Sequence, residues 1–235
     1  MKRCKTHVVR VCLFLLAAAP AFCQRSTFGI DVGQTSDKFG SLKKVNGLEA
    51  DIEGQLTVLH SKPKKGGPSI VAGGEIRLPT DTGNHATELA VYGGASFAFH
   101  NNFTFGVDGQ IRKIYLPAAN VDNQVFVRDK MELLEIPLVL RYDFGPAKKA
   151  FFQVSGAPEF TPRFRSNGST LQLPNPKFDH GYFVRGSVGY AFNSKWYVKA
   201  TYENRYFRFL SNQNNPSNLY NWKTNLITGG AGFVF

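Results

Sequence analysis

The chain has 235 residues, of which 43% are apolar and 19% charged, so it can bury a core and is not a disordered chain. Its formal net charge of +11 would suit anionic lipid headgroups or nucleic acid as partners. The 23 glycines and an aromatic fraction of 14% favour extended, glycine-punctuated segments over long helices.

The amino-terminal segment predicts a secretory signal peptide over residues 1–23. Basic residues come first, an apolar stretch follows, and small residues lead into the sequence APAFC. The apolar stretch is shorter than the roughly 20 residues that a membrane-spanning helix needs. We expect cleavage after Cys23, with cleavage after Ala21 as the alternative, and a mature domain over residues 24–235. A retained anchor and a lipid-modified Cys23 are further alternatives.

All three cysteines lie in the predicted signal peptide, so the mature chain would contain no thiol. This excludes a disulfide scaffold, a cysteine nucleophile and a cysteine-based metal site. The mature chain keeps 24 basic and 17 acidic residues, a formal charge of +7. Because an exported protein rarely meets nucleic acid, we expect no nucleic-acid partner.

Alternation of apolar and polar residues with a period of two predicts about ten β-strands. The clearest case is LEADIEGQLTV at residues 48–58, where acids stand at alternate positions. The same alternation recurs near residues 27–35, 69–78, 86–99, 102–116, 131–144, 150–163, 180–192, 195–208 and 222–235. Most segments reach the 9 to 11 residues, approximately, that a tilted strand needs to cross a bilayer. If the first two segments fail to span, eight strands remain.

The connections between these segments alternate in length from residue 99 onward. Short turns at 100–102, 145–149 and 193–195 alternate with long loops at 117–130, 163–179 and 209–221. Outer-membrane barrels combine short periplasmic turns with longer external loops. The pattern therefore predicts a closed, antiparallel, up-and-down transmembrane β-barrel with both termini in the periplasm.

One face of the predicted strands is apolar and is expected to meet lipid. It carries, among others, Phe105, Leu138, Val184 and Trp196, and its aromatic residues concentrate toward the segment ends. A closed sheet pairs every backbone group, as a hydrocarbon environment requires. The alternative is a soluble antiparallel barrel or sandwich with this face inside.

The opposite face is charged and is expected to line a narrow lumen. Nine acids and seven bases nearly cancel, so we expect them to form ion pairs that close the lumen instead of leaving a channel. The acids are Glu49, Asp51, Glu53, Glu75, Asp108, Glu135, Asp143, Glu159 and Glu203, and the bases are Arg77, Arg112, Arg141, Arg163, Arg185, Lys199 and Arg205.

The chain ends in NLITGGAGFVF, which places Ile227, Gly229, Ala231, Phe233 and Phe235 on one face of a strand. This resembles the terminal strand of bacterial outer-membrane β-barrel proteins, the small OmpA-like or porin-like barrels, which end in Phe after alternating apolar residues. The resemblance implies recognition of this strand by the barrel-assembly machinery. It also implies a monomer in the Gram-negative outer membrane, in contact with its lipid and lipopolysaccharide.

We predict no catalytic residue, cofactor or metal site. His85 with Asp81, and His180 with Asp179, are the pairs that would place a base beside a carboxylate at the external rim. Neither pair matches the pattern of the barrel deacylases or of the omptin proteases. We expect both histidines to be solvated loop residues.

These features predict a non-enzymatic outer-membrane barrel with a largely closed, charge-lined lumen and a structural or surface-interaction role. One alternative is a narrow pore for small solutes, and another is a surface hydrolase acting on lipid A or peptides. Lys38, Lys43 and Lys44 of the first external loop are candidates for contact with lipopolysaccharide phosphates.

Overall fold

The computed structural model describes residues 26–40, 44–59, 68–81, 85–98, 102–115, 120–121, 124–125, 130–165, 177–210 and 221–235. The predicted signal peptide, Lys43, His60 and His100 lie outside these residues. No helix among the described residues has the length and apolar character needed to cross a bilayer.

Ten antiparallel strands build the molecule, each following the alternating pattern of its sequence. They are β1 (Thr27–Phe39), β2 (Val45–Leu59), β3 (Pro68–Pro79), β4 (Thr87–Ala98), β5 (Phe103–Tyr115), β6 (Lys130–Glu135 continued by Leu138–Phe144), β7 (Ala150–Arg165), β8 (Phe178–Ala191), β9 (Trp196–Phe209) and β10 (Trp222–Val234). A two-residue ladder pairs Asn120–Val121 with Gln124–Val125, and a 3-10 turn spans Pro146–Lys148.

The sheet closes on itself. Each strand pairs with its successor, and β10 pairs with β1 from Val234 opposite Thr27 to Trp222 opposite Phe39. Ser26 and Phe235 extend this ladder by donating their backbone N–H groups to each other's carbonyl oxygens, both at 2.9 Å. The predicted closed up-and-down barrel is confirmed with ten strands, and the eight-stranded alternative is wrong.

The two ends of the barrel differ in their connections. The terminus end carries Ser26, Phe235 and the connections between β2 and β3, β4 and β5, β6 and β7, and β8 and β9. The loop end carries the other connections, between β1 and β2, β3 and β4, β5 and β6, β7 and β8, and β9 and β10.

The sixth strand is interrupted at Ile136 and Pro137, although the sequence pattern predicts one continuous segment. Proline has no N–H to give to a sheet ladder, so a strand interior breaks there. The carbonyl of Pro137 still accepts the backbone N–H of Asp108 at 3.0 Å. Leu134, Ile136 and Leu138 all remain exposed, so the face alternation continues through the break.

The outward face is apolar and the inward face is charged, as the alternation predicts. Ile227 is 62% exposed, whereas Glu203 and Arg205 are fully buried. The soluble alternative, with the apolar face inside, is therefore wrong. The exposed outward set includes Ile30, Val32, Leu48, Ile70, Leu78, Val91, Ile111, Leu134, Leu138, Leu140, Val184, Val188 and Ile227.

Aromatic side chains surround the outside of the terminus end. The ring centroids of Trp196 and Phe233 lie 4.9 Å apart, and those of Phe103 and Tyr142 lie 4.5 Å apart. Tyr190 and Phe192 make a further contact at 5.6 Å. Rings at this level are typical of the interface between hydrocarbon and headgroups.

The charge-filled lumen as candidate functional site

Arg77 of β3 anchors an ion-pair network inside the barrel. Its two terminal nitrogens donate to the two carboxylate oxygens of Glu203 on β9, at 2.7 and 2.6 Å. Its Nε and Nη2 also donate to Oε1 of Glu75, at 2.9 and 2.7 Å. A two-pronged guanidinium–carboxylate pair of this kind fixes orientation as well as charge.

Glu75 links opposite walls of the barrel. Its Oε2 accepts Nη2 of Arg112 on β5 at 2.9 Å, and its Oε1 accepts Nη2 of Arg185 on β8 at 2.6 Å. In a ring of ten strands, β8 stands five places from β3, which is diametrically opposite. Arg185 also donates through Nε to Glu203 at 2.7 Å. The pair of Glu75 and Arg185 therefore crosses the full width of the lumen.

Arg112 and Arg205 extend the network toward β4 and β6. Arg112 donates to Glu88 at 2.5 Å and to Glu135 at 3.2 Å. Arg205 lies 3.0 Å from Glu135, and its guanidinium carbon stands 5.1 Å from the centre of the Phe183 ring. Because these groups are removed from water, losing one partner leaves an uncompensated buried charge.

Lys199 of β9 centres a second ion-pair group, between the arginine network and the terminus end. Its ammonium lies 2.9 Å from Asp31 on β1 and donates to Glu53 on β2 at 2.5 Å. The Glu53 side chain is 27% exposed, so this group meets solvent.

The described network holds more acids than bases. With the Lys199 group included, it contains nine carboxyl groups and five cationic side chains: Asp31, Glu49, Asp51, Glu53, Glu75, Glu88, Glu135, Glu159 and Glu203 with Arg77, Arg112, Arg185, Lys199 and Arg205. The near cancellation expected from the sequence does not hold within this cluster.

Three predicted network members, Arg141, Asp143 and Asp108, stand outside it. Arg141 pairs with Asp143 at 2.8 Å and lies 4.0 Å from the centre of the Phe151 ring, near the terminus end. Asp108 belongs to no ion pair among the described residues, and its carboxylate lies over Gly94. The side chain of Arg163 lies outside the described part.

Sequence reasoning missed Glu88 and Asp31. Glu88 is the single charge on the inward face of β4, and Asp31 is separated from Asp37, the other inward acid of β1, by Gly33 and Thr35, so neither produces a run of acids like that of β2. The signal that could have found these two residues was their position in the alternation with apolar residues. Glu88 alternates with the exposed Leu89 and Val91, and Asp31 alternates with the exposed Ile30 and Val32.

An apolar cluster fills the loop end of the lumen above the ion pairs. Phe207 and Trp222 stack with ring centroids 5.4 Å apart, and Phe178 packs edge-on against Phe209 at 5.6 Å. The buried members are Ala86, Ile114, Met131, Leu133, Phe207, Phe209 and Trp222. This cluster excludes water from the network beneath it.

His85 ties the loop between β3 and β4 to the barrel wall. It is 1% exposed, and its Nδ1 lies 2.7 Å from the Asp37 carboxylate, which also accepts the indole N–H of Trp222 at 3.0 Å. The hydrogen bond to Asp37 raises the pKa of His85 above its usual value. The ring packs on Gly47, where any Cβ would collide with it. The expectation of a solvated loop histidine is wrong here, and the carboxylate partner is Asp37, not Asp81.

His180 lies on the outer rim of the loop end, as its position predicts. Its Nδ1 is 3.1 Å from Asp179, and both side chains are partly exposed. Asp179 also lies 3.4 Å from Nε of Arg208, so the carboxylate is shared between two bases.

The terminus half of the lumen is built differently, from glycines and rings. The Tyr197 ring lies against Gly232 and Gly29, and the Phe151 ring lies against Gly189. A Cβ at Gly232 or Gly189 would occupy space that these rings hold. The rings therefore lie along the wall of this half.

The predicted assembly signature faces outward on β10. Ile227 and Phe235 are exposed, and the rings of Phe233 and Phe235 stack with centroids 6.0 Å apart. Within the described residues, no group of His, Cys, Asp and Glu side chains is arranged to hold a metal ion.

A closed barrel with exposed apolar side chains outside and buried charges inside is the architecture of the bacterial outer-membrane β-barrel proteins. The resemblance stated above is therefore confirmed at the level of the fold. The similar solved structures include the outer membrane protease OmpT from Escherichia coli, at 11% identity over 90% of this chain and 97% of that one, with a TM-score of 0.50. An outer membrane channel from Pseudomonas putida F1 has 11% identity over 93% and 98% of the two chains and a TM-score of 0.47. Neisserial surface protein A has 12% identity over 88% and 96%, with a TM-score of 0.40. No protein-family description and no curated protein matches the sequence.

Proposed function

We propose that the protein is a non-enzymatic barrel of the outer membrane whose lumen is sealed, and that it acts through its outer wall and loops. The periplasm would hold the terminus end and the outside the loop end, since short turns favour the periplasmic side. Residues 1–23 would direct export as a cleaved signal peptide. The assembly machinery would recognise Ile227, Phe233 and Phe235 on the closing strand.

One observation carries the sealed lumen: Arg185 of β8 reaches Glu75 of β3 across the full width of the barrel at 2.6 Å. The fully buried Arg77 holds the same carboxylate and Glu203 together at the same point. An ion would have to displace several charge-assisted hydrogen bonds to pass. This favours a sealed barrel over a pore for small solutes.

The hydrolase alternative has less support. The similarity to an outer membrane protease is a similarity of fold, and the sequence identity is 11%. His85 is buried beneath its loop, and Asp179 is divided between His180 and Arg208. A base for hydrolysis needs access to substrate and a partner that orients it.

Planar-bilayer recording tests the sealed lumen. The wild-type barrel should give no large, steady current. The double variant Arg77→Ser and Arg185→Ser removes both crossing side chains and should open a current. That current should be selective for cations, because carboxyl groups outnumber bases in the network.

Arg141→Ser is the matched control, since Arg141 lies outside the network and its loss should leave the barrel closed. Heat-modifiable gel migration would show that each variant is folded. Steady wild-type currents would refute the proposal, as would a double variant that folds and stays closed.

A further inference from the structure

Three lysines stand side by side on the outside of the barrel at the loop end. Lys223 of β10 is directly opposite Lys38 of β1 in the ladder, and Tyr206 of β9 is opposite Lys223. Lys44 stands one position beyond Asp37 and Val45, the last paired residues of β1 and β2, and so continues the row. Adjacent strands are about 4.8 Å apart. The three ammonium groups therefore project from neighbouring strands at one level.

These lysines carry uncompensated charge. All three are exposed, and none lies within ion-pair distance of an acid in the described part of the chain. The opposite wall at the loop end is different. There Glu132 stands between two lysines, 2.7 Å from Lys130 and 3.9 Å from Lys113.

Rows of polar and then apolar side chains lie below the lysines on β9, β10, β1 and β2. The next row consists of Asn204, Asn225, Ser36 and Asn46, in register across β9, β10, β1 and β2. Below it stands a row of larger side chains, Tyr202, Ile227, Gln34 and Leu48, and the next two rows are apolar and include the small, exposed Ala200, Gly229 and Ala231. Cations, then hydrogen-bonding groups, then a mainly apolar wall follow the order of phosphate, sugar and acyl chains in a glycolipid.

We propose that this wall binds a phosphorylated glycolipid, with Lys38, Lys44 and Lys223 on its phosphate. Asn46 and Asn225 would meet the sugar hydroxyls, and the small side chains of Ala200 and Gly229 would seat an acyl chain. The proposal rests on the membrane placement given above, with the loop end in the outer leaflet. It does not depend on whether the lumen is sealed.

The test titrates the detergent-solubilised, folded barrel with diphosphorylated lipid A and follows the complex by native mass spectrometry. The variant Lys38→Gln, Lys44→Gln, Lys223→Gln should bind about a hundredfold more weakly, since each lysine near an anionic headgroup contributes about 1 kcal/mol. The matched control, Lys113→Gln with Lys130→Gln, should bind like the wild type. Raised salt should weaken wild-type binding.

Two further arms separate the possible sources of phosphate. Dephosphorylated lipid A should bind the wild type no better than it binds the triple variant. Inorganic phosphate should not displace diphosphorylated lipid A; displacement would assign the row to free phosphate and overturn the proposal. Equal losses in the triple variant and the control, or no binding by the folded wild type, would also overturn it. Bilayer conductance is measured separately, so failure here leaves the sealed lumen standing.

Discussion

The two halves of the lumen have the same ten-stranded wall but opposite contents. In the loop half, Arg77, Arg112 and Arg205 are almost or fully buried and extend toward the axis. In the terminus half, Arg141 is 38% exposed, and the rings of Phe151 and Tyr197 lie against glycines on the wall. Strand number sets the width of a barrel, so closure here depends on side-chain length and direction.

The largest expected effect comes from removing one acid from each half of the lumen and comparing the loss of stability. Glu203→Ala removes the partner of Arg77 and Arg185 from the loop half and should cost about 3 to 5 kcal/mol in the free energy of unfolding. Glu53→Ala in the terminus half, where the side chain is partly exposed, should cost about 1 kcal/mol or less. Urea unfolding of the refolded barrels measures both. Similar costs would mean that the halves do not differ in electrostatic burial.

A second pair of variants compares the lipid face with the terminus half of the lumen. Leu138→Arg places a charge on the outward face and should cost about 2 to 4 kcal/mol. Its neighbour Val139 points inward, so Val139→Arg should cost about 1 kcal/mol or less if solvent reaches that half. Folding into lipid vesicles under urea gives both values. A larger cost for Val139→Arg would show that the terminus half is closed.

A third pair of variants tests how the aromatic rings pack against glycines in the terminus half. Gly232→Ala would push the Tyr197 ring off the wall and should cost about 1 to 3 kcal/mol. Gly229→Ala, on the outward face of the same strand, would place its Cβ at an ordinary contact distance of 4.0 Å from the Lys199 carbonyl oxygen and should be neutral or stabilising by about 0.4 to 1 kcal/mol. Adding Tyr197→Leu to Gly232→Ala should recover most of the loss. No recovery would mean that backbone strain, not the ring, sets the cost.

The smallest expected effect concerns pH at the loop end. The pKa of His85 is raised in the folded state. Its contribution to the free energy of unfolding is therefore complete below the unfolded-state pKa of about 6.5 and is lost as pH rises through the folded-state pKa. Trp222 shares Asp37 with His85, and Trp196→Phe leaves it as the sole tryptophan. The fluorescence of Trp222 should change as pH rises through the folded-state pKa of His85, and His85→Gln should abolish the change. A transition that persists in His85→Gln would assign it to another group.

The strands and their faces were predictable because the period of two is a local property of the sequence. Leu134, Leu138 and Leu140 mark the outward face without any knowledge of neighbours. Depth along the barrel was not predictable in this way. Arg141 and Arg185 share the inward face, yet only Arg185 reaches the network, because register and tilt decide which side chains meet.

The position of His85 could not be inferred from sequence either. A loop residue between a proline-ended strand and a threonine is ordinarily solvated, and only the tertiary structure brings His85 to Asp37 and Gly47. The contact between His85 and Asp37 crosses β2 and joins residues 48 positions apart, which no local pattern encodes. The break at Pro137, by contrast, follows from the missing N–H alone.

The seam between β1 and β10 has a consequence for how the molecule is made. It joins residues that are distant in the chain, such as Thr35 and Thr224, which are 189 positions apart and whose hydroxyl oxygens lie 3.5 Å from each other. Until that seam forms, both edge strands display unpaired backbone groups, and such distant pairings form slowly. A factor that assists folding of this barrel would therefore have to cover both edge strands until they pair with each other.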